Sequence, residues 1–498
     1  MVYKIFLSSL IPFFFNLILI HNPATAESGD VNDSDIQQLV IQGIVYPDQQ
    51  YSYRLEPFDV PEGIGALEFT FSYDGRREYA EMEIGLFDPY GFRGTSRFSK
   101  DEFYISKYRT TASYFPGRII PGEWNVSLGF PTITQEAGYT IQIRMIPEGH
   151  PEYYGPSEIA LETGKRWYKG DFHTHTGHSD GFGCPDTEGN RSPCQVFQTA
   201  QAAHRNGLDF VTIADHNTVS HHQDMKILQP SFPGMLLLRG QEVTTFYGHM
   251  NVFGTSIPVE FRIGYNGLTV KDIQEQSRSL GALFSINHPG RDTGARCTGC
   301  GWSAENTDYN LVDAIEVVNG TNIETRVAGI PFWHERLNEG YMITGIGGSD
   351  DHGAGFGRAQ PGTPTTMVYA ESLSEADLLK AVKKGRVYLR TRSPDGPAIE
   401  YIATDGVNNW QMGDVIPVDE LANDQPVYIQ IKYDHYDSVE PEIIMNGKSV
   451  EWKAEQSLVE DKYRIKRFRI NGNGPGWVRF NLRDDEGIVV ISNPIYIR

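Results

Sequence analysis

Histidines and carboxylates able to hold metal ions recur through the middle of this chain. His173-Thr174-His175 sets two imidazoles two residues apart. On an extended strand, positions i and i+2 point to one face, so both rings can meet one ion. His178-Ser179-Asp180-Gly181 follows at once. Asp215-His216-Asn217-Thr218 stands just past an apolar run, where Asp215 can orient a histidine. Arg239-Gly240-Gln241-Glu242-Val243 puts a carboxylate after another such run, with His249 close behind. Its two oxygens can bridge two cations. In Asn287-His288-Pro289-Gly290-Arg291 the proline and glycine fix a turn that aims His288 inward. The Arg291 fork matches phosphate oxygens. Gly347-Gly348-Ser349-Asp350-Asp351-His352 repeats the i, i+2 spacing with an O/N pair, and its glycines permit close backbone approach.

Each motif alone has an ordinary reading as a hydrogen-bonded histidine, a solvated carboxylate, a surface arginine or a turn. Their coincidence points elsewhere. His173, His175, Asp180, His216, Glu242, His249, His288, Asp350 and His352 are too many ligands for one ion. Two or three divalent ions sharing a bridging carboxylate would use them, and mixed N and O donors suit zinc, manganese or iron.

Elements able to position these residues are legible nearby. Phe210 to Ala214, Leu236 to Leu238, Ala282 to Ile286, Ala314 to Val318 and Met342 to Ile346 read as buried strands. Helices are expected from Gln195 to Asn206, from the cap Thr269 to before Gly281, and from Ser374 to Gly385. Alternating strands and helices imply parallel βαβ units in an α/β sheet or barrel, with the motifs at the carboxyl ends of strands, where sites form.

The flanks read differently. Residues 31–150 alternate apolar and polar, as in Leu67-Glu68-Phe69-Thr70-Phe71, between turn signals such as Asp74-Gly75. A β-sandwich or jelly roll is expected there. Residues 395–498 return to the same pattern, as in Val427 to Tyr433, and an Ig-like sandwich is expected.

Residues 1–26 read as an export signal, with Lys4, the apolar Ile5 to Ile20, and the small-x-small Ala24-Thr25-Ala26. No later stretch is apolar enough to span a membrane, so the mature chain is expected outside the cell or in the periplasm. In that compartment Cys184, Cys194, Cys297 and Cys300 suggest disulfides, their pairing left open; a four-cysteine zinc knuckle is the rival, with the wrong first spacing. The net charge of −21 argues against a nucleic-acid groove, though not against a single phosphate held by metals and an arginine. Oligomeric state is not encoded legibly.

The order of the motifs, HTH…SDG, ADHNT, the strand-end Glu242, NHP and the closing GSDDH, resembles that of the PHP family, named for polymerase and histidinol phosphatase domains. The likeness covers residues 165–393. WYKGDFHTHTGHSDG and the β-rich flanks look like its secreted CehA/McbA-type metallohydrolase branch. The resemblance implies an α/β fold, a distorted (β/α)7 PHP barrel between N-terminal and C-terminal β-sandwich domains, with a trinuclear centre. It implies His173, His175, Glu242 and Asp350 around one metal, Glu242, His249 and His288 around a second, and Asp180, His216 and His352 around a third. The four cysteines lie outside the family pattern.

These readings converge on a hydrolase of a small, anionic ester. A metal-bridging hydroxide would be the nucleophile, since a bound water can ionise near pH ~7. Arg291 would orient an anionic group and His178 would protonate the leaving group. The family's chemistry makes phosphoester hydrolysis the first expectation and carbamate or carboxyl-ester hydrolysis the second. A non-catalytic secreted binding protein is the reading from another class, against which every ligand position holds a competent residue.

Overall fold

The computed structural model describes residues 18–19, 35–150, 155–294, 297–417, 426–434, 439–451, 453–460, 463–470 and 475–498. The export signal expected at 1–26 lies outside them, apart from Ile18 and Leu19. The chain divides into two units, Met1–Tyr153 and Tyr154–Arg498.

The first unit is two antiparallel sheets around one core. Its strands are β1 (Gln37–Val45), β2 (Tyr53–Val60), β3 (Ile64–Tyr73), β4 (Ala80–Asp88), β5 (Gly91–Arg97), β6 (Glu102–Ser106), β7 (Gly122–Ile133) and β8 (Ala137–Pro147). They order as β1-β8-β3-β6, edged by Ile18–Leu19, and as β2-β7-β4-β5. Alternation decides which side chains meet. Leu67, Phe69 and Phe71 of one sheet share a core with Ile84, Leu86, Val126 and Leu128 of the other. Phe69, Phe103 and Tyr114 stack in series at 4.4 and 4.2 Å. Each such aromatic contributes roughly 1.5–3 kcal/mol by burial.

The second unit carries the motifs. Its strands begin with β9 (Thr163–Thr174), β10 (Phe182–Pro185), β11 (Arg191–Pro193), β12 (Phe210–Ile213), β13 (Leu236–Thr244), β14 (His249–Phe253), β15 (Leu283–Ile286), β16 (Ala314–Asn319), β17 (Thr344–Gly348), β18 (Thr365–Ser372) and β19 (Val387–Arg390). Helices α1 (Val196–Arg205), α2 (His221–Leu228), α3 (Val270–Ser279), α4 (Ile330–Asn338) and α5 (Glu375–Lys383) lie between them. The Thr269 and Ser374 hydroxyls cap α3 and α5, accepting from Asp272 N and Asp377 N at 3.3 and 3.1 Å.

The expected (β/α)7 barrel is not what forms. Strands take 45 % of the chain and helices 13 %, with five α-helices among the described residues. All of these strands but β10 and β11, which pair with each other, join one fifteen-stranded mixed sheet, which begins β17-β16-β15-β14-β13-β12-β9-β18-β19. Neighbours are parallel from β9 to β13 and again from β15 to β17. Between these blocks β14 runs antiparallel to both neighbours. The physical reason is connection length. Thr245–Gly248 leaves no room for a crossover helix between β13 and β14, so the chain turns back as a hairpin. The link from β15 to β16 likewise carries a 3-10 turn, Tyr309–Leu311, in place of an α-helix.

Beyond β19 the sheet continues through β24 (Gly487–Ser492) and β23 (Gly476–Asp484) to β22 (Glu440–Met445), so residues near the C-terminus extend it. A second sheet, built around β20 (Ile399–Thr404) and β21 (Tyr428–Asp434), packs on these strands. Ile399, Tyr401, Ile429 and Ile431 face Val478, Phe480, Leu482 and Val490 there. Cys184 pairs with Cys194 and Cys297 with Cys300, which resolves the pairing the sequence leaves open. Among the described residues no helix is long and apolar enough to cross a membrane.

Candidate metal centre

All nine expected ligands come to one edge of the β9–β17 strands. The i, i+2 pair His173 and His175 ends β9, both rings fully buried. The segment after β17 runs alongside: Asp350 N donates to His173 O at 2.8 Å, and His175 N to Asp351 O at 2.9 Å. Gly348 is required at this approach, because a Cβ there would stand 2.3 Å from His173 Cβ and 2.7 Å from Glu316 Oε1.

Glu242, near the end of β13 and fully buried, is the hub. Its Oε1 lies 3.4 Å from His173 Nε2, 3.4 Å from His249 Nδ1 and 3.3 Å from His288 Nε2. Its Oε2 lies 2.8 Å from His216 Nδ1 and 3.5 Å from His175 Nε2. Asp350 Oδ1 stands 3.5 Å from His173 Nε2 and 3.2 Å from His175 Nε2. Toward the outside, Asp180 Oδ1 is 3.6 Å from His216 Nε2 and 3.3 Å from His352 Nε2. Donor atoms close enough to share an ion fall into overlapping sets: His173, His175 and Asp350; His173, Glu242 and His288; His216, Glu242 and His249; and His175, Asp180, His216 and His352.

The residues fit metal ions on a stricter test. Buried polar atoms normally find hydrogen-bond partners. Here His173 Nε2, both ring nitrogens of His175 and His249 Nδ1 are buried without one, and Glu242 Oε2 makes none of good geometry although His216 Nδ1 stands 2.8 Å away. His173 Nε2, His175 Nε2 and His249 Nδ1 face Glu242 at 3.4–3.5 Å, poorly placed for a hydrogen bond and close enough to flank a cation.

Outer partners fix which nitrogen is free. Glu316, buried in β16, takes His173 Nδ1 at 3.0 Å and accepts from His288 N at 2.9 Å and Asn319 Nδ2 at 3.1 Å. His288 Nδ1 lies 2.9 Å from Cys300 O, and His249 Nε2 lies 3.0 Å from Thr298 O. Each ring therefore donates outward and turns its lone pair inward. Asp215 accepts from Thr176 and Ser179 and lies 3.2 Å from His221 Nδ1, so the histidine it steadies is His221, which is outside the ligand sets, and not the adjacent His216. Asp171 accepts from His173 N, Ser349 N and Gly362 N, tying β9 to the Asp350 segment; burial raises its carboxyl to about 6.

Burial and neighbouring charge oppose one another across the group. Burial alone would favour the neutral acid at Glu242, but the imidazoles around it, His173 first, hold its carboxyl well below the usual range. Burial likewise opposes charge on His352, yet Asp180 and Asp350 lift it to about 9. His175, buried and beside His352, falls to about 4.

The two expected catalytic residues sit differently. Arg291 Nη1 is 3.3 Å from Asp350 Oδ2, at the edge of the centre. His178 lies between Ser220 Oγ at 2.8 Å and Asp224 Oδ2 at 3.1 Å, outside the ligand sets. Sequence reasoning missed Glu316, although a lone carboxylate in the apolar run Ala314 to Val318 was a readable signal. It also missed the Thr298 and Cys300 carbonyls, which carry no side-chain identity. No protein-family model matches the chain, and no curated protein matches it.

Proposed function

We propose that this chain is an exported, metal-dependent hydrolase of a small anionic ester, a phosphoester first. The observation that carries the reading is the set of buried, partnerless donor atoms on His173, His175, Glu242 and His249, converging from separate strands. Such an arrangement is costly without cations. Its N and O donors suit two or three ions of zinc, manganese or iron. The motif order shared with the PHP family supports the same reading, as do the two disulfides for export.

Divalent ions held there would supply Lewis acidity and a water acidic enough to ionise near neutral pH. The chain's residues do the rest. Glu242 keeps the subsites together through its two oxygens. Arg291, 34 % exposed at its side chain, has one Nη on Asp350 and other N–H groups able to orient a substrate anion. His178, 27 % exposed and held by Ser220 at Nδ1 and Asp224 at Nε2, is the candidate to give a proton to the leaving group once Nε2 turns from Asp224.

The test is metal analysis of the purified protein beside Glu242→Ala. Turnover of p-nitrophenyl phosphate, bis-p-nitrophenyl phosphate and an aryl ester is measured in parallel. More than one ion per chain, lost with turnover in the variant, is expected. Preference for the aryl ester would move the substrate class to carbamates or carboxyl esters. A wild type that takes up no ion on reconstitution overturns the proposal and leaves a binding protein.

A further inference from the structure

The Cys297-Thr298-Gly299-Cys300 turn has a place in the centre that the hydrolase reading does not use. It is wedged between two ligand-bearing segments. Gly299, at φ +75°, lies so close to the β13–β14 hairpin that a Cβ would stand 2.0 Å from Thr245 O. On the other side Trp302 N donates to Pro289 O at 3.1 Å, next to His288. The Thr298 and Cys300 carbonyls receive His249 and His288.

Cys300 itself is buried, at 1 % exposure. Its Sγ and one donor nitrogen each of His249 and His288 all lie within 4.8 Å of one another. His249 Nδ1 is buried with no hydrogen-bond partner. Glu242 Oε1 is 3.4 and 3.3 Å from the same two rings. One sulfur and two imidazoles, with the Glu242 carboxylate beside the same rings, make donors that suit zinc, yet a disulfide sulfur carries no charge and ligates poorly.

We infer that Cys300 is a latent metal ligand, masked by its bond to Cys297 and released on reduction to join His249 and His288. The inference rests on the metal-centre reading above. Cys297 is the more exposed residue of the pair. A dithiol reductant attacks there, the Cys297–Cys300 bond breaks, and Cys300 departs as thiolate. The second thiol of the reductant then displaces Cys297, and the reductant leaves as its own disulfide. Two electrons pass to the protein, Cys297 keeps one of the reductant's two protons, and the other passes to solvent. The Cys300 sulfur, left without one, is the metal-binding form. With the bond intact the subsite offers N and O donors; with it broken it gains a soft one, so its preference moves from manganese toward zinc.

Cobalt(II) reports the difference, because a thiolate on cobalt adds a near-ultraviolet charge-transfer band that N and O ligands lack. The probe is cobalt alone, added to the full chain. Cys297→Ser frees Cys300 without reductant and should show the band, with roughly one thiolate per chain engaged. Oxidised wild type and Cys300→Ser should bind cobalt without it. Wild type treated with a dithiol should gain it, which keeps the test open should Cys297→Ser fail to fold. Alkylation and peptide mass show that Cys184–Cys194 stays closed. Cobalt bound with no band in either Cys297→Ser or reduced wild type overturns the inference and leaves the metal centre standing. Failure of every form to bind cobalt overturns both.

Discussion

Replacing Glu316 by glutamine tests the centre at a residue that lies outside every ligand set. The change keeps shape and removes one charge. Glu316 now accepts from three donors: His173 Nδ1, His288 N and Asn319 Nδ2. A glutamine offers one accepting oxygen and one donating nitrogen. If the oxygen faces His173, the amide N–H₂ is set against the N–H of His288 and the amide of Asn319. If the nitrogen faces His173, that ring must accept at Nδ1 and carry its proton on Nε2, the atom turned toward Glu242 and Asp350. Either way one ligand is misplaced. Loss of such an outer partner lowers metal affinity by about 10–100-fold, or roughly 1.4–2.7 kcal/mol. A charge-assisted hydrogen bond contributes about 1.5–3 kcal/mol to folding, so some loss of stability is expected as well. Competition against a chromophoric chelator measures affinity, and thermal unfolding in excess chelator measures the metal-free fold. A variant that loses stability in chelator but binds ions as tightly as wild type would refute the reasoning, since Glu316 would then serve packing alone.

Two further outcomes follow from burial and charge. Asp180 is 61 % exposed at its side chain and His352 35 %, whereas the Glu242 group is buried. Asp180→Asn should therefore lose one ion per chain by mass spectrometry and keep the inner ones; equal loss of all ions would show a single cooperative cluster. Away from the centre, burial together with the neighbouring Arg479 charge depresses His334 to about 3. The unfolded chain takes up that proton below its ordinary 6.5 while the folded one does not. This contribution is therefore present above pH 6.5 and is lost as pH falls toward 3, at up to roughly 1.4 kcal/mol per unit. His334→Gln, whose oxygen can still accept from Arg479 Nε, should show a shallower fall in urea-unfolding free energy across that window. Parallel curves would sink the assignment.

The site was more legible than the fold, for a physical reason. Ligand chemistry belongs to side chains, and the two-residue spacings of His173 with His175 and Asp350 with His352 survive any change in how strands pair. The direction of pairing is set by connections. The apolar runs at Leu236 and Ala282 announce strands without saying whether β14 between them runs with or against its neighbours. The four residues of the Thr245–Gly248 turn decided that, and no helical period was there to be missed. Capping residues, by contrast, act within one turn of chain, so Thr269 and Ser374 mark helix starts from sequence alone. The Cys184–Cys194 and Cys297–Cys300 bridges needed coordinates, because short spacing makes a pairing feasible without excluding the others.

How the candidate centre is held bears on what bound ions would do for the protein. His288 sits at φ 28° and Asp350 at φ 55°, in a region that costs a bulky residue roughly 1–2 kcal/mol. Each is pinned by a bond from its own amide, His288 N to Glu316 and Asp350 N to His173 O. The strain and the partnerless donors both act against the metal-free chain, so something else must supply the stability. The strands beneath are buried along their whole length: β15, β16 and β17 carry Leu283, Phe284, Ile286, Ile315, Val317, Val318 and Ile346 at 2 % exposure or less. Trp333 and its neighbours close over them. A scaffold with that much apolar burial does not need ions to fold, unlike small zinc modules that are unfolded without metal. It can therefore hold ligands in a geometry they would not choose, and the free energy of ion binding is left to set affinity rather than to build the site.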